Sequence, residues 1–247
     1  ITIQSLNSGT MNVDVALTAD TSALGGSGPI GGAALGGTVN LIADGGALIF
    51  DGSAFLSANA RGGISTLAGS PGAAQASGGR VNIRSTATTG SQMALVTLIA
   101  TANGQTVGFG EGNVYTTESA ANGQGGIVDM LMTGGLVSAD QIILSADGFG
   151  EAGSDGRGGT VTVRQTAGAL TTNQFNATAN GTGGQSRVGG TAGGGYGGTL
   201  GIALAGGTFG ASILTGHADG FGGGGNFGAG GFILGGAVAH QLSTGFV

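Results

Sequence analysis

The sequence predicts an all-β fold: a parallel β-solenoid, wound as a right-handed β-helix, with a long glycine-rich segment in every turn. Three observations carry that expectation. A degenerate unit recurs along the 247 residues, its first half alternates apolar and polar residues, and its second half is dense in glycine. Self-similarity at a period of roughly 20–50 residues is the signature of a solenoid or an array. Parallel crossovers are right-handed in nearly all cases, which sets the expected hand.

Two anchors define the unit, most clearly in GGTVNLIADGGALIFDGSAFLSAN from Gly36 to Asn59. The first is the apolar residue after a glycine pair: Val39, Val81, Val128, Val161 and Leu200, with Ile1 in the same slot and Ile233 opening a seventh copy. The second is the alanine of a [Ser/Thr/His]-Ala-[Asp/Asn] motif: Ala19, Ala58, Ala102, Ala146, Ala179 and Ala218. First to second anchor spans 18, 19, 21, 18, 18 and 18 residues; second to next first anchor spans 20, 23, 26, 15 and 21. One half of the unit is nearly constant in length and the other varies.

The constant half reads as strand, because Val39/Leu41/Ala43 and Val161/Val163 alternate rather than recurring at three and four. Nine residues after the anchor comes a second apolar position, Leu48, Val137, Leu170 and Phe209, with Met11 at ten; glycines before it point to a tight turn. The third copy carries three extra residues near Ser91 and Gln92, which predicts a bulge or longer corner. In the variable half, glycines recur at every third residue over Gly25, Gly28 and Gly31, over Gly150 to Gly159, and over Gly222 to Gly231. That spacing fits a polyproline II conformation, with three residues per turn; a plain glycine loop is the other reading. The stretch Gly104–Gly125, with Glu111, Tyr115 and Glu118, breaks the pattern and reads as an excursion.

Only 7% of residues are charged, against about 25% in a usual soluble protein, which favours extensive lateral contact. The six cations are all arginine and the net charge is −6, so nucleic acid is disfavoured as a partner. There is no cysteine, hence no disulfide framework, and no run of 18 apolar residues to cross a membrane as a helix. Residues 1–247 read as one elongated domain of about six and a half repeats. It opens and closes inside a repeat, which points to a segment of a longer chain.

Stacking at about 4.8 Å would create polar columns. One comprises Asp20, Asn59, Asn103, Asp147, Asn180 and Asp219; another comprises Asp14, Asp51, Asp140, Asn173 and Ser212. Asp and Asn suit corners, where they bond locally. The alternative is a ladder of calcium sites, with Asp14, Asp51, Asp140, Asp20, Asp147 and Asp219 as candidate ligands, since closely stacked carboxylates repel without a cation. A hydroxyl column of Thr18, Ser57, Thr101, Ser145 and Thr178 would suit a flat glycan- or ice-binding face if it points outward. His217 occupies the Ser/Thr slot and reads as structural. No nucleophile elbow, zinc-binding helix motif or phosphate loop is present, and no single rung gathers paired carboxylates with arginines, so no catalytic or cofactor-binding set is assigned.

The repeats GGTVNLIADGGAL, GGTVTVRQTAGAL and GGIVDMLMTGGLV, with their closing LSAN, LSAD and TAN, resemble the repeat regions of large bacterial surface proteins: filamentous-haemagglutinin-like exoproteins and autotransporter passengers. The resemblance implies a secreted β-solenoid at a Gram-negative cell surface. With the low charge and long glycine inserts, the expected function is structural, as part of an extracellular filament, surface layer or adhesin that self-associates. The alternative is a carbohydrate-, ice- or calcium-binding module.

Overall fold

The computed structural model describes residues 1–64, 74–86, 90–106, 122–151, 153–185, 191–224, 233–234 and 237–242. Glu111, Tyr115, Glu118, Phe109, Phe227, Arg187, Gly225, Gly228 and Gly231 lie outside them, as does the side chain of His240. The chain is all-β, with no helix among the described residues, and its strands run parallel. A thirteen-stranded sheet carries the constant halves of the repeat, and two six-stranded sheets of two- and three-residue strands carry the variable halves.

Each strand pairs with its equivalent in the next copy. Val39 faces Val81, Val81 faces Val128, Val128 faces Val161, and Val161 faces Leu200. The seventh anchor is Val238, which faces Leu200, and not Ile233. Ile233 instead pairs with Gly195 in a small sheet. The nine-residue spacing from Ile233 to Leu242 is a coincidence of two apolar residues on different sheets.

The second apolar column runs Met11, Leu48, Met93, Val137, Leu170 and Phe209. Before it the chain turns on a left-handed residue in every copy: Gly45, Gly90, Gly135, Gly168 and Gly207 at φ 73° to 85°. The first copy uses Asn7 and Ser8 instead, at φ 50° and 67°; Asn tolerates this region better than most residues. The enlarged third corner is closed by Ser91, whose hydroxyl accepts from the N–H of Gly45 (2.8 Å) and donates to the carbonyl of Ala43 (3.2 Å).

Alternation sends Val39, Leu41, Ala43, Leu48, Leu56 and Ala58 inward, each at most 1% exposed. The core keeps its volume by opposed gradients along two columns. One column narrows from Phe50 through Leu95 to Ala139, with Thr172 after it, while the other grows through Ala54, Leu98, Ile142 and Phe175. Each rung pairs a large with a small residue, or two medium ones, so packing stays dense without strain. Thr172 is buried with a partner for its hydroxyl, which donates to the carbonyl of Asp140 (3.1 Å) or of Gln174 (3.0 Å). Phe175 meets Phe209 edge to face, centroids 5.7 Å apart. Phe55, which its repeat position suggests as core, points outward and is 40% exposed.

In the segment Gly150–Gly159 the polyproline II expectation fails. Within Gly150–Gly159, Gly153 has φ 79° and Asp155–Arg157 is a strand paired on both sides. The two small sheets lie against each other as a thin double layer, here called the flange. Alanines Ala23, Ala34, Ala60 and Ala76 fill its interior at one end. Further along, a Cβ on Gly123 would lie 2.0 Å from the carbonyl oxygen of Phe149, and one on Gly156 2.0 Å from that of Thr182. Only glycine permits so close an approach of two backbones.

Two expectations follow for stability. Phe175→Ala is expected to cost about 3–5 kcal/mol, and Phe55→Ala less than about 1 kcal/mol, in urea unfolding; comparable losses would contradict the inward and outward assignments. The repeat-by-repeat gradient further predicts that Ala54→Leu is tolerated better in a Phe50→Leu background than alone.

Candidate functional site

The polar residues that the repeat stacks come together where the large sheet passes into the flange. At this neck the second glycine of each pair donates its N–H to the anchor alanine, or its equivalent, across the turn. Gly79 donates to the carbonyl of Ala58 (2.6 Å), Gly126 to Ala102 (2.6 Å), Gly159 to Ala146 (2.7 Å) and Gly198 to Ala179 (2.7 Å). The first glycine of each pair sits so tightly that a Cβ on Gly158 would fall 2.0 Å from the oxygen of Ala179. The two sequence anchors are therefore the two sides of one neck.

Beside the neck, the Asp/Asn column forms a ladder of side-chain-to-backbone hydrogen bonds. The Oδ1 of Asn59 accepts from the N–H of Asn103 (2.7 Å), that of Asn103 from Asp147 (2.8 Å), that of Asp147 from Asn180 (2.6 Å), and that of Asn180 from Asp219 (2.8 Å). Every rung thus satisfies the amide of the next. Asn180 separates Asp147 from Asp219, so no two carboxylates of this ladder are neighbours and no cation is required to relieve repulsion.

Asp20 does not belong to this column. It faces Ser57, and Ala19 faces Leu56, two residues away from their motif equivalents. Ser22 holds the ladder position in the first copy, its hydroxyl accepting from the N–H of Asn59 (3.2 Å). A shift of two residues leaves every side chain on its face, so the pattern of alternation cannot distinguish the two registers. The Ser22 hydroxyl, together with the Ser22 N–H and the Ser57 hydroxyl, holds the Asp20 carboxyl below the usual carboxylate range against a small opposing effect of burial.

The hydroxyl column is Asp20, Ser57, Thr101, Ser145, Thr178 and His217, with Thr18 displaced opposite Phe55. It points away from the core, since its neighbours Leu56, Ala58, Leu144 and Ala146 are buried. The hydroxyls of Ser57, Ser145 and Thr178 are engaged by the ladder. Ser145 donates to Asn103 (2.8 Å) or Asp147 (2.7 Å), Thr178 donates to Asp147 (2.8 Å), and Ser57 accepts from Nδ2 of Asn59 (2.9 Å). His217 lies 3.2 Å from Asp219 through Nδ1.

The other acidic column places Asp14 opposite Asp51, both exposed, and Asp140 beside Asn173, whose Nδ2 donates to it (2.5 Å). Val96 fills the slot in the third copy, its N–H bonded to Gly52 (2.9 Å). Among the described residues no three His, Cys, Asp or Glu side chains converge as a metal site. Asp14, Asp51, Asp140, Asp20, Asp147 and Asp219 fall at separate points of two columns and the hydroxyl face.

Reading by motif misses the groove that flanks the ladder. It measures about 280 Å³ and is lined by Ser22, Asn59, Asn103, Arg61, Gln105 and Phe149, with Ala23 and Ala60 at its base. Extending the alternation two residues past the anchor motif, from Ser57 and Asn59 to Arg61, would have found it.

The ladder and neck each generate a test. Asn180→Asp would set three carboxylates on consecutive rungs and is expected to destabilise by about 1–2 kcal/mol at neutral pH, recovering on acidification; an unfolding midpoint unchanged between pH 7 and pH 4 would refute the ladder. Gly158→Ala is expected to cost more than about 2 kcal/mol, whereas Gly201→Ala, with nothing within 4 Å of its Cβ position, should change stability little.

No protein-family model, no curated protein and no solved structure matches this chain.

Proposed function

We propose that the chain is a β-solenoid segment of a secreted bacterial surface protein of the filamentous-haemagglutinin-like or autotransporter-passenger type, and that its role is structural. Each repeat is one turn, and stacked turns build a stiff rod in an extracellular filament, surface layer or adhesin on a Gram-negative cell. The observation that carries this reading is the parallel pairing of successive repeats, at like positions from the second copy to the sixth, across the core columns, the ladder and both flange sheets. Such a molecule places its chemistry in columns rather than in one pocket, which suits a scaffold and not a catalyst.

Self-association is supported by the low charge and by Leu35, 71% exposed on the flange sheet that does not carry Arg61 and Phe149. Electron microscopy of the native material tests the proposal. Filaments or an ordered lattice, with diffraction at about 4.8 Å along the rod, are the expected result; isolated globular particles without that spacing would overturn it.

A further inference from the structure

We propose that the groove between the ladder and the flange binds an acidic polysaccharide, one carboxylate-bearing sugar residue at a time. The outward column of the flange runs Leu24, Arg61, Gln105, Phe149, Thr182 and Phe221. Arg61, Phe149 and Phe221 therefore fall on every second rung, about 10 Å apart, with hydrogen-bonding Gln105 and Thr182 between them. An extended polymer lying along the stack meets a guanidinium or an aromatic ring at that interval and a polar side chain halfway.

The lining fits this ligand group by group. Arg61 is exposed, is the only charged residue lining the groove, and makes no ion pair with a described residue. Its planar fork matches a carboxylate in bidentate geometry. The ladder and Glu151 engage Oδ1 of Asn59 and Asn103 and Nε2 of Gln105, which leaves Nδ2 of Asn103 as a donor and Oε1 of Gln105 as an acceptor for sugar hydroxyls, neither bonded to a described residue. The Phe149 ring, 36% exposed, offers an apolar face to a sugar ring's C–H groups. At about 280 Å³ the groove is at the small end for ligand sites, so it takes one ring of a chain rather than a compact ligand. Glu151, two residues past Phe149, is engaged by Nε2 of Gln105 (3.0 Å), and its own N–H donates to the Thr106 hydroxyl (2.8 Å).

The test is calorimetric titration of the whole chain with tetragalacturonate and, in parallel, with neutral maltotetraose. The expected result is binding of the acidic tetramer alone, weakened by 0.5 M salt. Arg61→Gln should reduce affinity at least tenfold and Phe149→Ala several-fold, while Arg84→Gln, on the large sheet, leaves it within twofold. Both Arg61 and Phe149 are exposed, so circular dichroism should show the variants folded. The proposal is overturned if the acidic tetramer does not bind, if the neutral tetramer binds as well, or if Arg84→Gln loses as much as Arg61→Gln.

Discussion

The structure depends on one short contact repeated along its length, the N–H of the second glycine of each pair donating to the carbonyl of an anchor alanine. This bond closes each turn's constant half into a defined perimeter, so the core columns hold register whatever length of chain follows. Because the neck is closed by backbone, it demands residues without side chains on one side and a small one on the other. Gly36, Gly78, Gly125 and Gly158 each sit with a hypothetical Cβ 2.0–2.1 Å from an alanine oxygen. The anchors are constant because the neck is.

Once the neck is closed, the variable half is free to differ in length, but not free in conformation. Its first and last residues must continue the parallel pairing of their neighbours, which gives the two thin sheets of the flange. Loop closure costs little extra as a loop lengthens, so variable halves of different length are tolerated. The glycine content reflects this geometry: two sheets whose backbones touch leave no space for Cβ atoms between them. Outside, the same sheets present their other side chains in columns, and there the chemistry of the surface is written.

The ladder solves a second problem of stacking. Identical polar residues on successive rungs would either repel, if charged, or leave donors unpaired. Keeping the two carboxylates, Asp147 and Asp219, apart with Asn180, and turning each Oδ1 toward the next backbone N–H, satisfies both demands. It also uses the neighbouring hydroxyls, so the Ser/Thr column, although outward, is tied into the protein's own bonding.

Much of this architecture was legible in the residues. Period-two alternation dictates strand and its buried face, so Val39, Leu41 and Leu48 could be placed inside, and the glycine spacing located the corners now seen at positive φ from Gly45 to Gly207. Parallel pairing of like with like follows from any stacked repeat. What alternation leaves undetermined is anything that preserves face. The first copy slips by two residues, putting Ser22 rather than Asp20 in the ladder, and Val238 rather than Ile233 anchors the last. Phe55 points outward although its repeat position suggested core, because repeat position alone does not report the face. Tertiary structure alone decided how close two glycine backbones come, and hence that short strands of the variable halves pair into a flange. It also brought Arg61, Gln105 and Phe149 into one column: they lie 44 residues apart along the chain at each step, and only the parallel pairing of successive repeats makes them neighbours.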